Sequence, residues 1–251
     1  MLTSKQNQQI KLLKKIQTKK GRQRFGAYLI EGPHLVAMAI QLSMPIQMIY
    51  STPNAWDDSY ASYDYEEISE EIAHYLSDTG HSQGVFATLP LNEAPLPNWQ
   101  SLEEPLILLD AIQDPGNLGT IIRTADALGY RYVILGKGTV DLYNDKVLRS
   151  MQGSHFRLQI ISADLTQLIP ELQQSGYQIA ATALDSQAVP LPELTFKQSK
   201  WGVMFGNEGN GIHSSLLNMA DKTCYIPMSG DAESFNVAIA AAITMYQLGL
   251  S

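Results

Sequence analysis

From residue 105 onward the chain alternates short apolar runs with stretches of helical periodicity, and the apolar runs show no polar face of their own. Leu106-Ile-Leu-Leu109 is the clearest case. A strand covered on one side alternates apolar and polar residues. A strand covered on both sides does not, and such strands belong to parallel sheets sheathed by helices. The pattern predicts strands over 105–109, 131–136, 157–161, 177–183, 201–206 and 223–226. Helices are predicted over 118–128, 144–152, 164–174, 212–219 and 234–248. The expectation is an α/β domain with a mostly parallel sheet flanked by helices.

The first hundred residues read differently. Helical periodicity covers 6–20, Tyr28-Leu-Ile reads as a strand, and Pro33 suits the first turn of a helix running to Leu42. A strand is expected over 46–50, a loop over 52–65, a helix over 66–76 and a strand over 84–89. Three prolines fall within Pro90–Pro97, which marks a connection. The expected division is a smaller α/β domain over 1–95, a linker over 96–104 and the parallel-sheet domain over 105–251. A chain of 251 residues has room for both. Its one cysteine, Cys224, excludes an intrachain disulfide framework and a cysteine-rich zinc site. No apolar run reaches the roughly 18–20 residues that span a bilayer, and the basic start lacks an apolar signal core. A cytoplasmic location is expected, with no membrane partner.

Net charge is −8, which by itself speaks against a nucleic-acid partner. Its distribution speaks for one. Residues 1–31 hold eight basic groups and one acid, so the remainder carries −15. A basic arm on an acidic body is the pattern of a chain that meets phosphates locally. The plain alternative is a solvated amphipathic helix, with Ile10, Leu13 and Ile16 inside and lysines outside.

Three polar, glycine-bearing segments each follow an apolar run. In the first, Asp110–Gly129, Asp114-Pro-Gly is turn chemistry and Asn117 falls at an expected helix N-cap. Ile121, Ile122, Ala125 and Leu128 form an apolar helix face, and Gly129 suits the left-handed residue that ends a helix. Arg123 is then a charged group in an otherwise apolar second turn; the plain reading is a surface arginine. In the second, Gly206-Asn-Glu-Gly-Asn-Gly211 follows a strand and precedes a helix. Its order is G-x-x-G-x-G, so it is not a dinucleotide fingerprint, and it lacks the Gly-Lys-Ser/Thr of a phosphate loop. In the third, Ile226-Pro-Met-Ser-Gly leads to Ser234-Phe-Asn-Val237 and an alanine-rich helix. Ser234 is an expected N-cap, and Asn236, a poor helix former, sits within the first turn. The five histidines are scattered without metal-ligand spacing, and no G-x-S-x-G elbow is present. Cys224 lies in a predicted strand and reads as core.

Together, in this order and spacing, the three segments resemble the signature motifs of the SpoU-type (TrmH-like) RNA ribose 2′-O-methyltransferases. Lys146–Gly153 is similar to a family segment between the first two motifs. Residues 1–32, with Lys20-Gly-Arg-Gln-Arg and Tyr28-Leu-Ile-Glu-Gly32, look like the start of the family's substrate-binding domain. Phe235 stands where the family usually has leucine. The resemblance implies a C-terminal SPOUT domain with a deep trefoil knot, preceded by a ribosomal-protein-like α/β sandwich. It implies S-adenosylmethionine as cofactor, no metal, and a homodimer with the site near its interface. Gly206, Ile226 and Phe235, together with Thr182, would contact the cofactor. Arg123 would activate the ribose hydroxyl. Asn117, Ser234 and Asn236 would position ribose and phosphate, and Glu208 would order the site. Lys14, Lys15, Lys19, Lys20, Arg22, Arg24, Lys146 and Arg149 would meet RNA phosphates. The separate N-terminal domain is closer to the ribosomal-RNA branch than to the transfer-RNA branch. Two other readings stand beside this one: a knotted RNA-binding protein without catalysis, and a nucleotide-dependent α/β enzyme of another class.

Overall fold

The computed structural model describes every residue except Thr79, Glu93, Ser186, Gln198, Leu250 and Ser251. In chain order the first part carries α1 (Gln8–Ile16), α2 (Lys19–Phe25), β1 (Ala27–Glu31), α3 (Pro33–Gln41), β2 (Met48–Ser51), β3 (Tyr65–Glu67), α4 (Glu70–Leu76) and β4 (Val85–Pro90). The second begins with β5 (Leu106–Leu109), α5 (Pro115–Ala127), β6 (Tyr132–Leu135), α6 (Asp145–Met151), β7 (Gln159–Ser162), α7 (Leu165–Gln174) and β8 (Gln178–Thr182). It continues with β9 (Val189–Pro190), β10 (Trp201–Phe205), α8 (Ser214–Leu217), β11 (Lys222–Tyr225) and α9 (Val237–Gly249).

The chain forms two compact units, and the division is not one cut. Residues 1–93 and 141–156 form the first; 94–140 and 157–251 form the second. The domain expected over 105–251 therefore lends α6 to the first unit. Val147, Leu148 and Met151 are the reason, because they form a buried face on that helix. Leu148 shares a cleft with Leu29, Leu35 and Phe86. The segment expected as a linker is likewise not loose: Trp99 is 7% exposed and belongs to the core of the second unit.

In the first unit, the sheet order is β1-β4-β2-β3, antiparallel except for the β2–β3 pair. Ile10, Leu13 and Ile16 of α1 pack with Ile68, Ile72, Leu76 and Phe86; full burial of each such side chain contributes about 1.5–3 kcal/mol. The helix expected over 6–20 is broken at Gln17. Thr18 caps a second helix, its side chain accepting from the Gly21 N–H at 3.1 Å. A Cβ at Gly21 would lie 1.8 Å from the Lys15 carbonyl oxygen, so only glycine permits this fold-back. The helix expected from 66 starts at Glu70, with Ser69 as its cap. Tyr65–Glu67 instead forms the short edge strand β3.

In the second unit, the sheet order is β7-β6-β5-β10-β8-β11-β9, and every pair is parallel. Leu106, Leu108, Met204, Ile179 and Ile134 are among the residues of a core cluster that includes α7. All four residues of β5 are buried, as the absence of alternation in Leu106–Leu109 requires. Among the described residues, no helix is long and apolar enough to cross a membrane.

Candidate active site

Open parallel sheets carry ligands outside the carboxyl ends of their strands. Four neighbouring strands, β5, β10, β8 and β11, end at Leu109, Phe205, Thr182 and Tyr225. Each therefore leads into a residue or segment marked out in the sequence. Register aligns these ends: Phe205 pairs with Leu109, Met204 with Ala181, and Cys224 with Thr182.

After β5, the chain turns through Ala111, which holds φ 52°, a left-handed value uncommon for a residue with a Cβ. Asp114 caps α5, its carboxylate accepting from the Asn117 N–H at 2.8 Å, and Pro115 opens the helix. Asn117 is thus the third helical residue and not the cap expected from the sequence. Asp114 takes that place because Asp-Pro is the stronger start signal, and this leaves the Asn117 amide available.

After β10, Asn207 and Gly211 exchange backbone hydrogen bonds of 3.0 and 2.9 Å. The Asn207 Oδ1 accepts from the N–H groups of Gly209 and Asn210 at 2.9 and 3.1 Å, while Nδ2 donates to the Ala111 carbonyl at 2.9 Å. A Cβ on Gly206 would lie 2.2 Å from Gly211 C and Ile212 N, so the loop can close only over glycine. Closure directs Glu208 onto the first segment. Its carboxylate accepts from the backbone N–H groups of Gln113 and Asp114 at 3.2 and 3.1 Å, and from Asn117 Nδ2 at 3.0 Å. Partial burial works to raise the Glu208 pKa, but the hydrogen bonds from Asn117 and the backbone outweigh it and hold the carboxyl below its ordinary value.

After β11, α9 starts at Val237, and Asn236 is its cap: Oδ1 accepts from Ala238 N–H at 2.9 Å. Ser234, the expected cap, lies two residues outside and is exposed. The Asn236 Nδ2 donates to Asn117 Oδ1 at 3.0 Å. Glu208, Asn117 and Asn236 thus form one hydrogen-bonded chain that joins the three segments. Arg123 lies in an exposed row on α5 with Gly116, Thr120 and Ala127, outside that chain. Phe235 is 40% exposed, and Ile226 is half-buried. Thr182 donates its hydroxyl to the Met204 carbonyl at 3.0 Å, so any ligand would meet its backbone. Cys224 is buried in β11, and burial pushes its thiol up to about 11, far from a nucleophile's range.

The residues expected to meet RNA separate into two groups. Lys15, Lys19, Lys20, Arg24 and Lys146 are exposed. Lys14 lies over the Tyr75 ring at 5.0 Å, and Arg149 is half-buried. Arg22 leaves the set: it is 4% exposed, donates to the Gln17 carbonyl at 2.6 Å and pairs with Asp141 at 2.8 Å. It sits there because the fold-back of α2 aims it at the end of α1. Sequence reasoning missed Asp114, Asn207 and Ala111 as builders of the site. Asp114 was legible as an Asp-Pro helix start; the roles of the other two depend on contacts across about 96 residues of chain.

The profile of the SpoU rRNA Methylase family matches residues 104–246, and that of the MRM3-like substrate binding domain matches residues 7–87. The 23S rRNA (guanosine(2553)-2′-O)-methyltransferase RlmP of Bacillus subtilis is 38% identical, with 98% of each chain covered. The chain belongs to the SpoU rRNA methylase family. Two solved structures align along nearly the whole length. The AdoMet-bound rRNA methyltransferase from Sinorhizobium meliloti has TM-score 0.87 at 28% identity, covering 98% of this chain and 95% of that one. A putative TrmH-family RNA methyltransferase from Porphyromonas gingivalis has TM-score 0.84 at 29% identity, covering 98% of both.

The charge of this SpoU site suits the cofactor class. From Val203 to Ser251 the only lysine or arginine is Lys222, whereas Glu208, Asp231 and Glu233 lie in the loops after β10 and β11. Asp185 follows β8. Loops this poor in cations offer no lysine or arginine to pair with a polyphosphate. They fit a ligand that carries positive charge, as a sulfonium with an α-amino group does, and Phe235 offers an apolar surface to an aromatic base.

Proposed function

We propose that this chain is a SpoU methyltransferase that methylates a ribose 2′-hydroxyl of large-subunit ribosomal RNA, with S-adenosylmethionine as donor. The observation that carries the proposal is the chain Glu208–Asn117–Asn236, which joins three separate segments at the carboxyl ends of adjacent strands. The choice of ribosomal over transfer RNA rests on full-length similarity to the Bacillus subtilis enzyme, N-terminal unit included. Similarity to the Bacillus subtilis enzyme favours a cytoplasmic location.

Gly206, Ile226, Phe235 and the backbone at Thr182 would hold the cofactor, which when bound supplies an electrophilic methyl group. Asn117 and Asn236 each retain one amide hydrogen beyond those spent in the chain, suited to ribose or phosphate oxygens, and the exposed Ser234 hydroxyl is a third such group. Glu208 fixes the Asn117 amide by accepting from it. A ribose hydroxyl is a poor nucleophile while protonated. Arg123 would act on it as a positive charge that stabilises the developing alkoxide. The proton would pass to solvent or to the neighbouring phosphate as the new C–O bond forms, while the donor's sulfur–methyl bond breaks and its electron pair leaves with the thioether product.

The first unit would dock the RNA through Lys15, Lys19, Lys20, Arg24 and Lys146. The second would be knotted, which is in keeping with the insertion of β10 between β5 and β8. The protein would work as a homodimer. Ile239, Ile243 and Tyr246 line one side of α9 and are 49%, 36% and 58% exposed, an apolar row that a second copy would cover. Since α5 packs on α9, that interface would lie beside Arg123.

The test is transfer of label from S-adenosylmethionine to unmodified ribosomal or transfer RNA, with Arg123→Ala alongside. Label in large-subunit RNA at one alkali-resistant position, lost in the variant, is the expected result. Label in transfer RNA alone would move the substrate to the other branch. Cofactor and RNA binding without any transfer would favour the binding protein.

A further inference from the structure

Arg123 has no ion pair or hydrogen bond among the described residues, although an acid lies within its reach. Asp126 follows three positions later on α5, and helix geometry brings such side chains to neighbouring surface positions, with Cβ atoms roughly 5–6 Å apart. An arginine and an aspartate so placed attract each other weakly. Here the carboxylate is held from another direction. Arg157 donates Nε to both Asp126 oxygens, at 3.0 and 3.1 Å, and its terminal nitrogen closes on the same carboxylate. The Asp126 side chain is 14% exposed and that of Arg157 is 42% exposed. Arg157 is itself anchored: two residues on, the Gln159 N–H donates to the Arg131 carbonyl at 2.8 Å as β7 begins.

We propose that Arg157 is a positioning residue for methyl transfer: its fork-shaped hold on Asp126 keeps that carboxylate away from Arg123, so that the Arg123 guanidinium stays available to the ribose and phosphate of the RNA. The inference rests on the reading of Arg123 as the activating charge. A bidentate guanidinium–carboxylate contact is directional as well as charged, and a lone aspartate one turn along the helix would otherwise draw Arg123 down onto the helix surface. Arg157 and Asp126 act through Arg123 and do not themselves touch the substrate.

The experiment measures kcat and the KM for S-adenosylmethionine, with unmodified large-subunit ribosomal RNA, for five variants. Arg157→Ala is expected to lower kcat about twofold with KM little changed. Arg157→Lys keeps the charge and should recover part of the loss. Asp126→Asn alone should keep the parental kcat. The double variant Arg157→Ala/Asp126→Asn should return to about the same level, because the competing carboxylate is gone. A merely structural ion pair predicts the opposite, with the double variant as slow as Arg157→Ala. That result overturns the inference, as does a parental kcat in Arg157→Ala. Arg123→Ala separates the two layers: if it retains full activity, the role of Arg123 itself fails, whereas an inactive Arg123→Ala beside a fully active Arg157→Ala sinks only the role of Arg157.

Discussion

Asn117 is the residue on which the three segments converge. It gives one amide hydrogen to Glu208 and takes one from Asn236, so its orientation is fixed from both ends. Asn117→Asp would set a carboxylate against Glu208. Transfer should fall about a hundredfold, with a loss of roughly 1–3 kcal/mol in stability, which turnover assays and thermal melts would record. Gly206→Ala tests the loop closure. Overpacking against backbone commonly costs about 1–3 kcal/mol, and calorimetry should show cofactor affinity falling with it. Glu208 gives the site a pH dependence of known sign. Its folded pKa is depressed, so the hydrogen bonds it accepts stabilise the fold above the ordinary glutamate pKa and are lost as pH falls through the folded value. A Glu208→Gln variant should therefore lose less melting temperature than the parent between about pH 6 and pH 3. These residues were visible in the sequence; their arrangement was not. Asp114, Asn117, Ser234 and Asn236 are all capable caps, and only the tertiary contacts decide which of them cap and which face a ligand.

At the scale of elements, the difference between neighbouring basic residues on α2 can be measured. Replacing Lys19, Lys20 and Arg24 with alanine should weaken RNA binding and flatten its salt dependence, by close to one unit of slope for each phosphate no longer neutralised, without moving the melting temperature. Arg22→Ala should do the reverse, because it leaves Asp141 unpaired beside two orphaned carbonyls. The start of α6 carries a second pH effect. Burial, reinforced by the carboxyl of Asp78, pushes Asp145 up to about 7. The folded state then holds a proton that the unfolded chain releases near pH 4, so stability should decline as pH rises between these values and level off above the higher one. Asp145→Asn should remove that slope from a series of melts. Fully buried strands such as β5 were legible because their composition permits little else. The edge strand β3, three half-buried residues of Tyr-Glu-Glu, carried no such signal. The place of β10 between β5 and β8 could not be read either, because periodicity says which residues form a strand and nothing about its neighbours.

For the molecule as a whole, the charge asymmetry seen in the sequence survives folding in part: six of the eight basic residues before residue 32 are exposed, and Arg22 is consumed internally. The apolar row on α9 makes a prediction about assembly. Ile243→Glu with Tyr246→Glu should convert the proposed dimer to a monomer in sedimentation velocity and reduce turnover along with it. Family resemblance conveyed the larger architecture, which local patterning alone could not. What neither conveyed was the route of the chain, which leaves the second unit at residue 141 and re-enters it at 157. One consequence concerns heredity. A gene encoding this protein cannot exchange its first unit with a relative by a single crossover, because the incoming residues 1–93 would arrive without the α6 that packs within them. Two separate stretches must be inherited together, and chimaeras built with one junction near residue 94 should aggregate where those with three junctions, at 94, 141 and 157, fold.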